Sequence, residues 1–197
     1  MIHTGCTVWF TGLPSSGKST LARLLCEHLT DRGLPAAVLD GDELRQWLTK
    51  DLPFTKEGRD ENIRRITCVA ELLTRVGAFA LVAAISPYAE ARARARQKLR
   101  RFVEVHVDCP VAICCRRDPK GLYARARQGE IAHFTGISDP YEPPMNPEIR
   151  VRTDRLAPRQ CLDLILDKLV ELQYIPDDHA HCTPRTRIAA LRHDEPV

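Results

Sequence analysis

Gly12-Leu13-Pro14-Ser15-Ser16-Gly17-Lys18-Ser19, followed by Thr20, is the stretch whose reading decides the fold. It fits the pattern G-x-x-x-x-G-K-[ST]. Thr7 to Thr11 (TVWFT) in front of it has strand character, and Leu21, Leu24, Leu25 and Leu29 behind it recur at helical spacing. A strand, a glycine-bounded loop and a helix in that order form a phosphate cradle. Successive backbone N–H groups wrap the anion, and the start of the helix adds its partial positive charge. Gly12 to Thr20 is therefore the expected nucleotide contact, with Lys18 reaching the β- and γ-phosphates of ATP and the Ser19 hydroxyl on Mg²⁺. The loop names a donor and leaves the acceptor to the rest of the chain.

Composition narrows the classes. A chain of 197 residues is long enough for one well-buried α/β domain and short for two. A net charge of +3 is too small to argue for nucleic acid or a membrane surface. No apolar run approaches the roughly 20 residues that span a bilayer. The strand feeding the loop begins almost at once, in place of a basic segment, an apolar core and a cleavage site, so a cytoplasmic location is expected. The 8 cysteines show no C-x-x-C pair, and adjacent Cys114 and Cys115 read as apolar packing.

Beyond the first helix, which Gly33 ends, Ala36 to Leu39 is a short strand closing on Asp40-Gly41-Asp42. Two acids at the carboxyl edge of a parallel sheet can face Mg²⁺ or an acceptor hydroxyl; the alternative for Asp42 is to cap a helix over Glu43 to Leu48. Thr55 caps a second helix, which carries Arg59, Asn62, Arg64 and Arg65 in its first half, just after the aromatic Phe54. Ala78 to Ile85 is a continuous apolar strand ending at Ser86-Pro87-Tyr88, where Ser86 either enters the crevice or merely starts a turn. The arginines of Ala89 to Arg101 point several ways around a helix and are expected in solvent. Phe102 to Val107 and Ile149 to Thr153 supply further strands, and Pro158 opens the last helix. Arg116 to Ile137 lacks a clean apolar stripe and suits a segment that closes over nucleotide. Five strands alternating with helices predict a three-layer α/β fold with a parallel sheet. The expected organisation is one domain over 1–174, with a lid at about 117–137 and a tail over 175–197. In that tail His179, His181 and Cys182 could hold a metal, although no fourth ligand is evident.

Several segments together resemble one family. They are the loop itself, LDGDELR (Leu39 to Arg45), DLPF with R-x-x-N-I-R-R (Asp51 to Arg65), ISPY (Ile85 to Tyr88), RDPKGLY (Arg117 to Tyr123), and FTGI followed by DPYEPP (Phe134 to Pro144). They are similar to adenylylsulfate kinases over about Thr4 to Leu172. Departures are mild. The family loop usually reads GLSGAGKS, Glu43 stands in place of an asparagine and Pro53 in place of a glycine.

The resemblance implies a P-loop NTPase fold and transfer of the γ-phosphoryl of ATP to the 3′-hydroxyl of adenosine 5′-phosphosulfate. It implies that Phe54 and Phe134 sandwich the acceptor adenine with Ile137 near its edge, and that Ile85 and Gly136 also bind the substrate. Arg45, Arg59 and Asn62 would hold the phosphosulfate. Asp42, supported by Asp40, would orient the hydroxyl and share Mg²⁺ with Ser19. Lys120 would approach the anionic end of the acceptor or the transferring group. Ser86, sometimes treated in the family as a phosphorylated intermediate, would stand with Lys18, Asp42 and Lys120 among the catalytic residues, although a direct in-line transfer needs no phosphoserine. It further implies a homodimer and a functional association with ATP sulfurylase. The competing readings are another small-molecule kinase of the same fold and a catalytically inactive nucleotide-binding module.

Overall fold

The computed structural model describes residues 5–177. The tail positions His179, His181 and Cys182 lie outside the described residues. Five strands, β1 (Thr7–Thr11), β2 (Ala36–Asp40), β3 (Phe79–Ala83), β4 (Phe102–Asp108) and β5 (Ile149–Arg152), form one sheet in the order β2-β3-β1-β4-β5. All four pairings are parallel, with Val8 of β1 opposite Leu81 of β3 and Val103 of β4. The expected parallel sheet is thus present. Its strands read as apolar runs because helices cover both faces. The connections β1 to β2 and β3 to β4 each pass over a neighbouring strand, so the chain departs in opposite directions around the centre of the sheet. The carboxyl edge at such a reversal is where open α/β sheets bind ligands.

One face is packed by α1 (Lys18–Thr30) and α7 (Pro158–Glu171), which bury Leu21, Leu25, Ile165 and Leu169 against Val8, Phe10 and Val105. The opposite face is packed by α3 (Lys56–Arg75) and α4 (Ala89–Lys98), which bury Ile63, Ile66, Ala91 and Ala95 against Trp9 and Val82. Each fully buried aliphatic side chain contributes about 1.5–3 kcal/mol relative to exposure, so both layers are needed to hold the sheet. A satellite cluster of Leu13, Cys109, Cys114, Tyr123 and Phe134 lies under the segment that runs from α5 (Val111–Arg117) into α6 (Leu122–Arg127). Cys114 is fully buried, as its apolar setting implied, and the seven cysteines among the described residues are all free thiols.

The short α2 (Gly41–Trp47) starts earlier than its pattern suggested. Asp40, rather than Asp42, caps it by accepting from the Asp42 backbone N–H at 2.9 Å. The Asp42 side chain is therefore left free of the helix. Helix α4 gives a second correction. Arg92 is not a solvated arginine but 3% exposed. Its Nε donates to Glu104 of β4 at 2.9 Å, and its two Nη atoms donate to the carbonyls of Ser86 (2.6 Å) and Glu142 (2.7 Å). Alanines on either side let the stem reach inward, where the carboxylate compensates the charge.

Candidate active site

The loop between β1 and α1 owes its shape to close approach. Gly12 stands against the end of β4, where an added Cβ would come within 2.5 Å of the Val107 carbonyl. Gly17, at φ 105°, turns the chain into α1. Lys18 is buried and donates to the carbonyls of Gly12 (3.0 Å) and Leu13 (2.7 Å). Burial pulls its ammonium down from 10.5 to about 8, only partly opposed by the charges of Asp42 and Asp40. A cation held among carbonyls with little compensating charge fits an anionic ligand. Ser15 holds a left-handed φ of 61°, and the fully buried Ser16 Oγ has no hydrogen-bond partner.

A cavity of about 860 Å³ opens along the carboxyl edge above this loop. Pro14, Ser15, Gly17, Lys18, Ser19 and Thr20 line it from the loop side. Asp40, Asp42, Arg45, Phe54, Arg59 and Asn62 line it from the β2 and α3 side, and Ile85 and Ser86 from the end of β3. Lys120 and Phe134 close it from the α6 segment. Gly12, Leu13, Ser16, Gly136 and Ile137 are not among the lining residues. Leu13 instead packs against Gly136, where a Cβ would meet its Cδ2 at 2.9 Å, and Ile137 is 41% exposed.

Asp42 and Lys120 face each other across the mouth at 2.5 Å, and this hydrogen bond holds Lys120 above its ordinary pKa and therefore charged. The Phe54 ring is 60% exposed, with the Arg45 guanidinium 4.5 Å from its centroid. Phe134 is buried edge-on against Tyr123, with centroids 4.9 Å apart. Tyr123 in turn donates its hydroxyl to the Pro14 carbonyl at 3.1 Å, so the phosphate loop and the α6 segment share one packing unit. Ser86, at φ 45°, is 2% exposed; its Oγ accepts from the Trp9 indole N–H and donates to the Ala84 carbonyl. Oxygen donors from Ser19, Asp40 and Asp42 line the cavity, which suits the hard-cation chemistry of Mg²⁺ bound through one or two carboxylates and substrate phosphates.

Three features escaped sequence reading. Thr153, just past β5, donates its hydroxyl to the Ser16 carbonyl at 2.7 Å, and Arg117 donates to the Thr153 carbonyl at 2.5 Å. Leu156 and Pro158 line the cavity beside them. The signal was available, since Thr153 follows the end of a strand at the same edge as Asp40 and Ser86. Arg23 is the third, pairing with Glu43 at 3.0 Å at the rim.

The adenylylsulphate kinase family profile matches residues 4–152. An adenylyl-sulfate kinase of Gloeothece citriformis is 54% identical over 175 residues, covering 89% of this chain and 99% of that protein. The Mycobacterium tuberculosis APS kinase CysC, solved with AMPPNP and APS, is 50% identical with a TM-score of 0.81, over 84% of this chain and 98% of that one. A hexameric APS kinase from Thiobacillus denitrificans is 35% identical with a TM-score of 0.68, over 88% of this chain and 30% of that one.

Proposed function

The chain belongs to the adenylylsulphate kinase family, and from that premise we propose that it transfers the γ-phosphoryl group of ATP to the 3′-hydroxyl of adenosine 5′-phosphosulfate. The products are 3′-phosphoadenosine 5′-phosphosulfate and ADP. The observation that carries the reading is a single cavity whose lining joins the Lys18 loop to the Phe54 and Phe134 rings and to Arg45 and Arg59. An ATP phosphate tail suits the first part, and an acceptor with an adenine plane and a doubly anionic end suits the second. A sugar or shikimate acceptor would give Phe54 and Phe134 no flat partner.

In this reading Gly12 to Thr20 wraps the phosphates, and Lys18 leaves the carbonyls of Gly12 and Leu13 for the β- and γ-phosphate oxygens. Phe54 and Phe134 hold the acceptor adenine, with Ile85, Gly136 and Ile137 around it, and Arg45, Arg59 and Asn62 face the phosphosulfate. Asp42 orients the 3′-hydroxyl and accepts its proton, with Asp40 behind it. Ser19 and Asp42 would hold Mg²⁺, which when bound neutralises charge on the phosphates. Lys120, charged and already beside Asp42, stabilises the transferring group. Ser86 shapes the floor without becoming phosphorylated, because both hydrogen-bonding roles of its Oγ are taken inside the protein. Residues 1–174 act as one unit, with 117–137 as the lid that excludes water.

We further infer a homodimer, a functional association with ATP sulfurylase and a cytoplasmic setting. The free thiols and the ATP requirement support the last; among the described residues no helix is long and apolar enough to cross a membrane. Sedimentation of the full chain with and without a sulfurylase tests both assemblies.

The deciding experiment measures ADP formation with and without adenosine 5′-phosphosulfate and identifies the product as the 3′-phosphate. ATP binding without acceptor-dependent ADP would leave an inactive nucleotide module. Phosphorylation of a sugar or shikimate in preference would leave another kinase of this fold.

A further inference from the structure

Side chains grip most of the backbone carbonyls in the phosphate loop. Lys18 takes those of Gly12 and Leu13, Tyr123 that of Pro14 and Thr153 that of Ser16. The last stands apart, because Thr153 belongs neither to the loop nor to the lid. It follows β5, the strand at one edge of the sheet, and its hydroxyl reaches the fully buried Ser16 across 137 positions of chain.

Thr153 is itself held from both sides. Its backbone N–H donates to the Asp108 carbonyl at 3.2 Å, which carries the pairing of β4 with β5 one step further. The Asp108 carboxylate is in turn fixed by Arg150 at 2.7 Å. From the other side, Arg117 donates through Nη2 to the Thr153 carbonyl at 2.5 Å and through Nη1 to the Thr153 hydroxyl oxygen at 3.3 Å. An oxygen that accepts from a guanidinium turns its own hydrogen elsewhere, and the Ser16 carbonyl at 2.7 Å receives it. The direction of the hydroxyl is thereby set.

The effect falls on the far end of the same peptide. A trans peptide carries its C=O and N–H in opposite directions. With the Ser16 carbonyl turned to Thr153, the Gly17 N–H points away from that residue, and among the described residues no acceptor takes it. Gly17 lines the cavity beside Lys18 at a φ of 105°. A peptide in front of glycine flips easily, because glycine accepts both of the backbone conformations involved. Holding this one therefore falls to a partner outside the loop.

We propose that Thr153 is a positioning residue for the phosphoryl donor: by holding the Ser16 carbonyl, its hydroxyl keeps the Gly17 N–H free and aimed at the phosphates of ATP. It acts through the loop rather than on the ligand. This rests on the donor half of the reading above and adds to it a residue remote from the G-x-x-x-x-G-K-[ST] stretch.

Calorimetric titration of the full chain with ATP, and displacement of ATP by inorganic tripolyphosphate, both with Mg²⁺, test the assignment. Tripolyphosphate has no base and no ribose, so its affinity reports on the phosphate cradle alone. Thr153→Val keeps the shape of the side chain and removes the hydroxyl; it should weaken both ligands by a similar factor, about tenfold. Thr153→Ser keeps the hydroxyl and should restore both to within about twofold. Thermal unfolding of the unliganded variants separates positioning from stability. A lowered melting temperature in Thr153→Val with both affinities unchanged would make the hydroxyl purely structural and overturn the proposal. So would a loss confined to ATP, which would place Thr153 against the base or the ribose. A wild-type chain that binds neither ligand removes the donor reading and the proposal together; wild-type binding that Thr153→Val leaves intact removes the proposal alone.

Discussion

The indole N–H of Trp9 donates to Ser86 Oγ at 2.9 Å, and that oxygen donates onward to the Ala84 carbonyl at 3.1 Å. A hydroxyl committed in both directions and buried beneath the turn is poorly placed to accept a phosphoryl group. Ser86→Ala should therefore retain acceptor-dependent turnover to within about tenfold, while the orphaned indole N–H lowers stability by about 1–3 kcal/mol. Denaturant unfolding beside steady-state rates reads both quantities. A loss of turnover with full stability would return Ser86 to the chemistry.

Asp42 and Lys120 are both exposed at the mouth of the cavity, and Asp40 has taken over the capping of α2. With no structural duty in that helix, Asp42 can be changed without unfolding it. Asp42→Asn should cut kcat by about 100-fold or more while the KM for ATP moves little, as expected for a group acting mainly in the transition state. If nucleotide affinity collapsed while bound substrate still turned over, the assigned role would be wrong.

Lys18 has a pKa of about 8 without nucleotide, below its ordinary 10.5, because of burial. Polyphosphate favours the charged form, so binding should take up a proton above pH 8, and ATP affinity should fall as pH rises through that value. Calorimetry in buffers of different ionisation heat measures the proton directly. Stability has the opposite sign. Between pH 8 and 10.5 the unfolded chain binds more protons at this site than the folded one, so the Lys18 contribution to stability rises with pH across that window.

The Ser16 hydroxyl is fully buried without a partner, while its backbone carbonyl accepts from Thr153. Ser16→Ala keeps the carbonyl and removes only the orphaned polar atom. It should raise stability by about 1 kcal/mol with ATP affinity unchanged, measured by thermal unfolding with and without nucleotide. A destabilised variant would mean that the hydroxyl has a partner in solution.

The parts of the fold set by local pattern were legible. TVWFT is a strand of those five residues, Thr55 does cap α3 by accepting from Gly58, and Pro158 does open α7. Much of the candidate site was legible for the same reason, since Lys18, Asp42, Ser86 and Phe134 sit in short motifs and share one cavity. What the pattern could not carry was the choice between competing partners. Arg92 looked solvated because nothing in an alanine- and arginine-rich helix announces a carboxylate on β4, and Glu104 lies 12 positions away. Asp40 and Asp42 compete for one helix start, and local sequence does not say which carboxylate turns inward. Arg59 finds Thr135 only after 76 residues of chain have crossed the sheet and returned.

The two tryptophans have ended up in opposite surroundings: Trp9 is wholly buried against the Ser86 turn, and Trp47 is 84% exposed on α2. Replacing Trp47 with phenylalanine leaves a single indole in the chain, hydrogen-bonded to the floor of the cavity. Its emission would follow that floor optically, without an attached dye, as ligands enter and leave.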